Sequence, residues 1–371
     1  APLVTREVSH MSTPLRYEII GTGMMGIEHI MNIEIVDGAR VTAIADPHEG
    51  SRDWALSTLK HDKKAREEVA VFEDHRDLLA SGKVDVLVIA TPNFTHASVL
   101  EPVWETGLHV LCEKPLCTNV EDAKEVAHRA QSHKGVFWVG MEYRYMPPVT
   151  RFVSHVHGDA LGKLRMFSIR EHRFPFLKKV GDWNRFSRNT GGTLVEKSCH
   201  YFDMMRHVVQ AEPVRIYASG GQDVNHLDEI YDGETPDILD NAFAIVDFDN
   251  GVRAAHDLCM FAEASRNQEE LCAVGDKGKA ECLIPESNIV VGTREPRQVE
   301  TIHVSVDEKV LKAGYHHGAS YYQHLDFQAA ILNNTAPKVS AHDGLQAVLM
   351  GMAAHRSIEE GRPVMMSEFG V

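Results

Sequence analysis

Through the first part of the chain, short apolar runs recur between stretches of helical periodicity. Residues 17–20 (YEII), 41–45 (VTAIA), 69–72 (VAVF), 84–90 (VDVLVIA), 109–113 (HVLCE) and 136–142 (VFWVGME) have the length and content of buried strands. Residues 49–68, 95–106 and 119–133 carry helical patterns. Strands alternating with helices predict βαβ units and a doubly wound parallel sheet. The prolines in 145–149 (YMPPV) break that rhythm and place a boundary there: one domain over 11–146, a second over 147–371.

The second part has a different pattern. Residues 163–174 alternate as a strand does, and 191–209 read as one helix. Hairpins are expected around Asn250-Gly251 and around Asp276 to Gly278. These elements predict an α+β domain with a mostly antiparallel open sheet and helices on one face. Helices near 317–333 and 342–360 close the chain, and the last is a candidate to pack back on the first domain. No internal repeat or low-complexity linker interrupts the pattern.

Composition narrows the class. The 371 residues are 43% hydrophobic and 25% charged, the balance of a soluble globular protein of two domains. No apolar run approaches the roughly 18 residues of a membrane span. A net charge of −15 disfavours nucleic acid and anionic membranes as partners. The six cysteines form no C-x-x-C pair and sit mostly in apolar stretches, which favours reduced core thiols and a cytoplasmic setting. Residues 1–10 read as an expression-tag remnant ahead of Met11, with a short natural extension as the alternative.

Candidate chemistry begins directly after the first strand. Gly21-x-Gly23-x-x-Gly26 opens a helix, with Met24 and Met25 in its first turn. Glycines there allow a tight turn and close backbone approach, so the helix start can hold a pyrophosphate. Asp46 ends the second strand twenty residues later, where a carboxylate accepts from the ribose hydroxyls and disfavours the extra phosphate of NADP. The combination points to NAD; a chance glycine turn and a turn-capping aspartate are the plain alternative. Strand four ends in Thr91, Pro92, Asn93 and His96, and strand five in Glu113-Lys114-Pro115. Ligands of open parallel sheets lie beyond such strand ends. Lys114 there is either a group that stabilises an alkoxide or a solvated loop lysine.

Residues 191–205 (GGTLVEKSCHYFDMM) place Glu196, His200 and Asp203 at helical spacing among apolar neighbours, with Lys197 beside them. They are a satisfied structural network, a reaction site or, least favoured, metal ligands; no metal is expected. His155-x-His157 and His316-His317 read as surface or loop residues. Between 165 and 189, seven positive side chains (Arg165, Arg170, Arg173, Lys178, Lys179, Arg185, Arg188) face two negative ones (Glu171, Asp182), a local +5. This segment is either a solvated loop or subunit contact, or a clamp for an anionic sugar. In the second reading arginine forks such as Arg173 hold the anion and Trp183 stacks on the ring.

The Gly-rich turn, TPNFTH (91–96), EKP (113–115) and a helix opening GGTLVEKSCH (191–200) occur in the order seen in the Gfo/Idh/MocA family. The chain resembles that family from about Tyr17 to its end. The resemblance implies a Rossmann domain followed by an open-sheet domain. It implies that Lys114 stands beside the nicotinamide and the reacting carbinol, and that Thr91, Pro92, Asn93, His96 and Glu113 line the cofactor. It aligns His200 with the histidine that closes the family's Asp-x-x-x-His, and Arg144 and Tyr145 with a segment that reaches substrate. The chain departs at position 196, where Glu replaces the usual Asp and Lys197 follows.

Oxidising a secondary alcohol needs a base, for which histidine is suited, and a positive group beside the developing alkoxide. The expectation is therefore an NAD-dependent oxidoreductase of a sugar, polyol or glycoside, anionic if the basic segment is a clamp. Lys114, His200 and Glu196 are its catalytic groups, and Arg144, Tyr145, Arg173, Trp183 and Lys197 face substrate. A redox-neutral, NAD-dependent glycosidase, for example on a sulfoquinovoside, is the nearest alternative, and an NAD-binding sensor the next. A dimer or tetramer is expected from the open sheet.

Overall fold

A computed structural model describes residues 13–59, 67–82 and 84–370; the expected tag remnant and the end of the 49–68 helix lie outside the described residues. Two sheets organise the chain. The first holds β1 (Leu15–Ile20), β2 (Ala39–Ala45), β3 (Ala70–Phe72), β4 (Val86–Ile89), β5 (His109–Cys112) and β6 (Phe137–Val139), all parallel in the order β3-β2-β1-β4-β5-β6. Its central strands are buried on both faces: all four residues of β4 are enclosed. Such strands carry continuous apolar runs because both sides are covered. The covering helices are α1 (Met24–Ile33), α2 (Glu49–Thr58), α3 (His75–Ala80), α4 (His96–Leu100) and α5 (Val120–Ala130). The strand order reverses between β1 and β4, so the loops after β1, β4 and β5 converge at one edge.

The prolines of 145–149 open a helix, α6 (Pro147–Val156), because proline suits a first helical turn. The second sheet has nine strands: β7 (Leu164–His172), β8 (Pro213–Gly221), β9 (Asn241–Phe248), β10 (Arg253–Cys259), β11 (Glu269–Gly275), β12 (Gly278–Ile284), β13 (Asn288–Thr293), β14 (Gln298–His303) and β15 (Val364–Met365). Their order is β14-β13-β12-β11-β7-β10-β9-β8-β15, antiparallel throughout except for the β7–β10 pair. Both expected hairpins form, β9–β10 at Gly251 (φ +83°) and β11–β12 around Lys277.

The inner face of this sheet packs on helices, while Met166, Tyr217, Phe243 and Ile245 stand on the other face at 56%, 45%, 66% and 52% exposure. Residues 191–209 form two helices after α7 (Ser187–Thr190): α8 (Thr193–Glu196) and α9 (Cys199–Val209), with a break at Lys197-Ser198. After α10 (Glu308–Leu311), α11 (Ala319–Asn333) packs on α1, and α12 (Ala341–Glu360) runs between α5 and α9. The last two helices therefore tie the second sheet's layer to the first. Among the described residues no helix is long and apolar enough to cross a membrane.

Candidate active site

The glycine turn has the steric signature of a dinucleotide cradle. Gly21 has φ +89°, and a Cβ on it would meet Ala90 and Thr91 backbone at 2.7 Å. A Cβ on Gly26 would lie 2.1 Å from the Gly21 oxygen. The helix can therefore approach the turn only with glycine at both positions. Gly23 caps α1 without a side-chain hydrogen bond, which leaves the first N–H groups of the helix to a ligand. Asp46 accepts from Thr22 N and His48 N, each at 2.8 Å, and its carboxylate has lone pairs to spare for ribose hydroxyls. These residues fit NAD.

The loops after β4 and β5 are held against each other by His96. Its fully buried ring bonds the Pro115 oxygen at 2.9 Å and the Thr91 oxygen at 3.1 Å, so it positions both loops from behind. Glu113 is also enclosed, with Oε1 2.8 Å from His29 Nε2 on α1 and Oε2 accepting from Lys114 N at 3.1 Å. Asn93 is buried with an unpartnered Nδ2, and Pro92 and Thr91 stay half-buried beside it. The Lys114–Pro115 bond is cis. From this loop Lys114 reaches across to the second layer, where its Nζ donates to the Glu196 oxygen at 3.1 Å. It makes no ion pair within 4 Å among the described residues.

Local sequence explains why that oxygen is available. Gly191 and Gly192 take φ +83° and +85°, and Cβ atoms there would strike Val195 and His355. The paired glycines thus let α8 start tightly against α12, where Leu194 N donates to His355 Nε2 at 3.1 Å. The chain then breaks helix at Lys197-Ser198, and Ser198 turns its hydroxyl to His256 Nε2 on β10 at 2.9 Å. A carbonyl at the end of a short helix needs an outside partner, and Lys114 supplies it.

Glu196 and His200 are 5% and 2% exposed. Among the described residues the one cation within 4 Å of the Glu196 carboxylate is Lys179, with Nζ 4.0 Å from Oε1, and Oε2 has no partner. Burial holds the Glu196 carboxyl above its usual range although Lys179, Lys114 and Lys197 pull against it. His200 lies face to face with Tyr143, centroids 3.9 Å apart and planes 8° apart, and its Nδ1 is unpartnered. Burial, then the charges of Lys114, Lys197, His316 and Arg173, hold the imidazole well below its usual value, so it is neutral. A neutral histidine, an unpaired carboxylate oxygen and an ammonium at one cleft can accept and stabilise a hydroxyl as it loses its proton.

Lys197 turns away from Glu196. Its Nζ donates to the Tyr143 hydroxyl at 2.9 Å and pairs with Glu171 Oε1 at 3.0 Å, deep in the protein. Burial, reinforced by Arg173, pulls this lysine down to about 8. It is thus enclosed behind the site rather than facing substrate. Arg173 shares Glu171 Oε1 through Nη1 at 3.1 Å, and its Nε has no partner among the described residues. Trp183 stays half-buried under Lys179 Nζ (4.8 Å) and meets Phe94 of the cofactor loop edge-on at 6.2 Å, at the mouth of the cleft.

Arg144 and Tyr145 are not brought to this cluster. Arg144 grips Asp203 with Nε–Oδ2 2.7 Å and Nη2–Oδ1 2.5 Å, adds the Lys338 oxygen at 3.1 Å, and lines a separate surface cleft of about 530 Å³ with Arg206 and Asp343. Tyr145 packs on Trp138 beside Asp326. Asp203 is therefore no partner of Glu196 and His200, and a metal set of those three does not form.

Two site residues escaped the sequence reading. Tyr143 precedes the segment singled out, and strand alternation gave no reason to prefer it. His316, read as a surface or loop residue, lies within 3.0 to 3.1 Å of Glu28 and Glu142 and tilted against Tyr143 at 5.8 Å. Burial opposes its charge, but Glu142 and Glu28 outweigh it and hold the imidazole up to about 9. Ser320 bridges the same two carboxylates.

A dinucleotide turn at the same sheet edge as Lys114, whose ammonium meets the Glu196–His200 segment, is the arrangement of an NAD-dependent oxidoreductase. The chain belongs to the Gfo/Idh/MocA oxidoreductase family: residues 15–141 match its NAD-binding Rossmann fold and 154–366 its C-terminal alpha/beta domain. An uncharacterised oxidoreductase of Bacillus subtilis is 27% identical over 93% of this chain and 95% of its own. The myo-inositol 2-dehydrogenase of Thermotoga maritima is 25% identical, covering 95% and 99%. A levoglucosan dehydrogenase solved with NADH and levoglucosan shares the fold, at 20% identity and TM-score 0.79 over 95% of this chain and 100% of that one.

Proposed function

We propose that the protein oxidises a secondary carbinol of a cyclic polyol or sugar. The observation that carries this reading is the convergence of Lys114 Nζ, unpartnered Glu196 Oε2 and neutral His200 at the carboxyl end of β5. Bound NAD supplies the hydride acceptor. His200 takes the hydroxyl proton, Lys114 stabilises the oxyanion that develops, and Glu196 accepts from a neighbouring hydroxyl and so orients the ring. Relatives named for inositol support a polyol substrate.

An anionic substituent is the finer reading, and it now rests on lysine rather than arginine. All five arginines of 165–189 have carboxylate partners: Asp276, Glu270, Glu171, Glu229 and Glu234. Lys179 has only Glu196 at 4.0 Å, and with Lys114 it is the cation in reach of a bound acid group. One observation favours the redox-neutral glycosidase as a second reading: Tyr143 and Lys197 put further proton-holding groups beside His200. The exposed face carrying Phe243 and Ile245 supports a dimer or tetramer, and the six free cysteines are compatible with the cytoplasmic setting expected from the sequence.

The test supplies NAD with myo-inositol, levoglucosan, glucose, glucuronate and the aryl glucoside, glucuronide and sulfoquinovoside. NADH should accumulate with a free polyol or sugar, and Lys114→Ala should lower kcat by about 10²- to 10³-fold. Aglycone release without net NADH would establish the second reading. Full activity of Lys114→Ala would overturn the site.

A further inference from the structure

The site uses Lys114, Glu196 and His200 but leaves a buried assembly behind them unexplained. Glu171 on β7 holds both Lys197 Nζ (3.0 Å) and Arg173 Nη1 (3.1 Å), and Lys197 passes a hydrogen bond to the Tyr143 hydroxyl (2.9 Å). Tyr143 in turn covers the face of His200 at 3.9 Å. All of these side chains are at least 85% enclosed, and they come from three separate segments: the end of β7, the turn after β6 and the α8–α9 break. Burying two cations and a carboxylate is costly unless each is fixed in place. A ring stacked in plane with an imidazole restrains its rotation, and a fixed ammonium nearby repels a second positive charge.

We propose that Tyr143 and Lys197 are positioning residues for His200: the phenol ring sets the plane of the imidazole, and the ammonium behind it keeps that imidazole in its proton-accepting form. Glu171 is the anchor that holds the ammonium in place. This explains the chain's departure at 196–197. The helix break sends Lys197 inward to the phenol and leaves the Glu196 carbonyl outward to Lys114.

The charged groups that face His200 agree in sign. Lys114 comes from the β5 loop, Lys197 from the break, Arg173 from the end of β7 and His316 from the segment before α11. Against them stand Glu196, held above its usual range by burial, and Glu171, already shared by Lys197 and Arg173. Removing Lys197 deletes one of four repelling cations without stranding Glu171, which keeps Arg173.

The proposal rests on the reading of His200 as the proton acceptor, but its test needs no substrate. In the NAD-saturated protein labelled with ¹⁵N-histidine, the His200 signals are identified by their loss in His200→Asn. In the wild type they should show one neutral tautomer from about pH 6 to 8. Lys197→Met should move the His200 midpoint upward, followed from about pH 4 to 8, while Lys197→Arg should retain the wild-type pattern. Tyr143→Leu should broaden the ring signals, and Tyr143→Phe should keep them sharp. If the His200 midpoint does not rise in Lys197→Met and the ring signals stay sharp in Tyr143→Leu, the proposal fails, whatever Lys114→Ala does to turnover. A Tyr143→Leu protein that does not fold leaves Lys197→Met to decide.

Discussion

His200 and Asp203 sit three residues apart on α9 and lie along the same segment, 142–145, yet they are built for different purposes. Asp203 meets the guanidinium of Arg144 in a two-bond fork, and Arg144 spends its remaining contacts on the Lys338 oxygen and Asp343. Among the described residues, His200 stacks on the flat face of Tyr143 and keeps Nδ1 unpartnered, and Glu196, one turn earlier, keeps Oε2 unpartnered. Buried polar atoms are normally satisfied. The fully paired side is therefore structural, and the side with spare capacity is where a ligand completes the hydrogen bonds. A related contrast holds for carboxylate partners: among the described residues each arginine of 165–189 has one, while Lys114 has none within 4 Å and Lys179 only Glu196 at 4.0 Å.

The sharpest way to break this comparison is Asp203→Ala, which removes the two-bond fork from the largely enclosed Arg144 and leaves it the Lys338 oxygen and Asp343 at 3.5 Å. It should cost about 3 kcal/mol of stability, read as a lower denaturation midpoint, with kcat per folded molecule near that of the wild type. A large loss of kcat in a fully stable Asp203→Ala protein would place Asp203 in the site after all. Glu196→Gln should do the reverse. It keeps the shape and removes a carboxylate whose one cation within 4 Å among the described residues, Lys179, stands at 4.0 Å, so activity should fall about 10²-fold, equivalent to about 2.7 kcal/mol of barrier. Its thermal midpoint should change little. Arg188→Ala should move neither quantity much. Arg188 and Glu234 are 59% and 54% exposed, and such pairs contribute less than about 1 kcal/mol. A loss of substrate affinity in Arg188→Ala would restore the arginine-clamp idea.

Much of the fold was legible because it rests on local pattern. Double-sided burial makes the parallel strands continuous apolar runs, and single-sided burial makes β7 alternate, as expected for 163–174. The glycine turn and Asp46 were legible for a similar reason: sterics require glycine at 21 and 26, and spacing places Asp46 at the end of the second strand. The single helix expected over 191–209 was not observed. Spacing shows which residues would share a face but not that Lys197-Ser198 leaves helical hydrogen bonding to meet Glu171, Tyr143 and His256.

The charge count failed in an instructive way. A local +5 over 165–189 looks like an anion site in one dimension, but acidic residues distant in the chain neutralise its arginines. Likewise His316 resembles a loop histidine until Glu28 and Glu142, from far earlier positions, enclose it. Arg144 was expected at substrate because the family resemblance aligns its segment with one that reaches substrate; which neighbour in Tyr143-Arg144 faces His200 depends on the turn after β6.

By itself, the amino-acid order determined the two-layered architecture, the dinucleotide turn, the preference for NAD and the candidacy of Lys114, Glu196 and His200. These follow from periodicity, glycine sterics and the position of strand ends. The tertiary structure alone decided which charges are spent and which are free. Pairing depends on distances between side chains far apart in the chain, and only packing sets those distances.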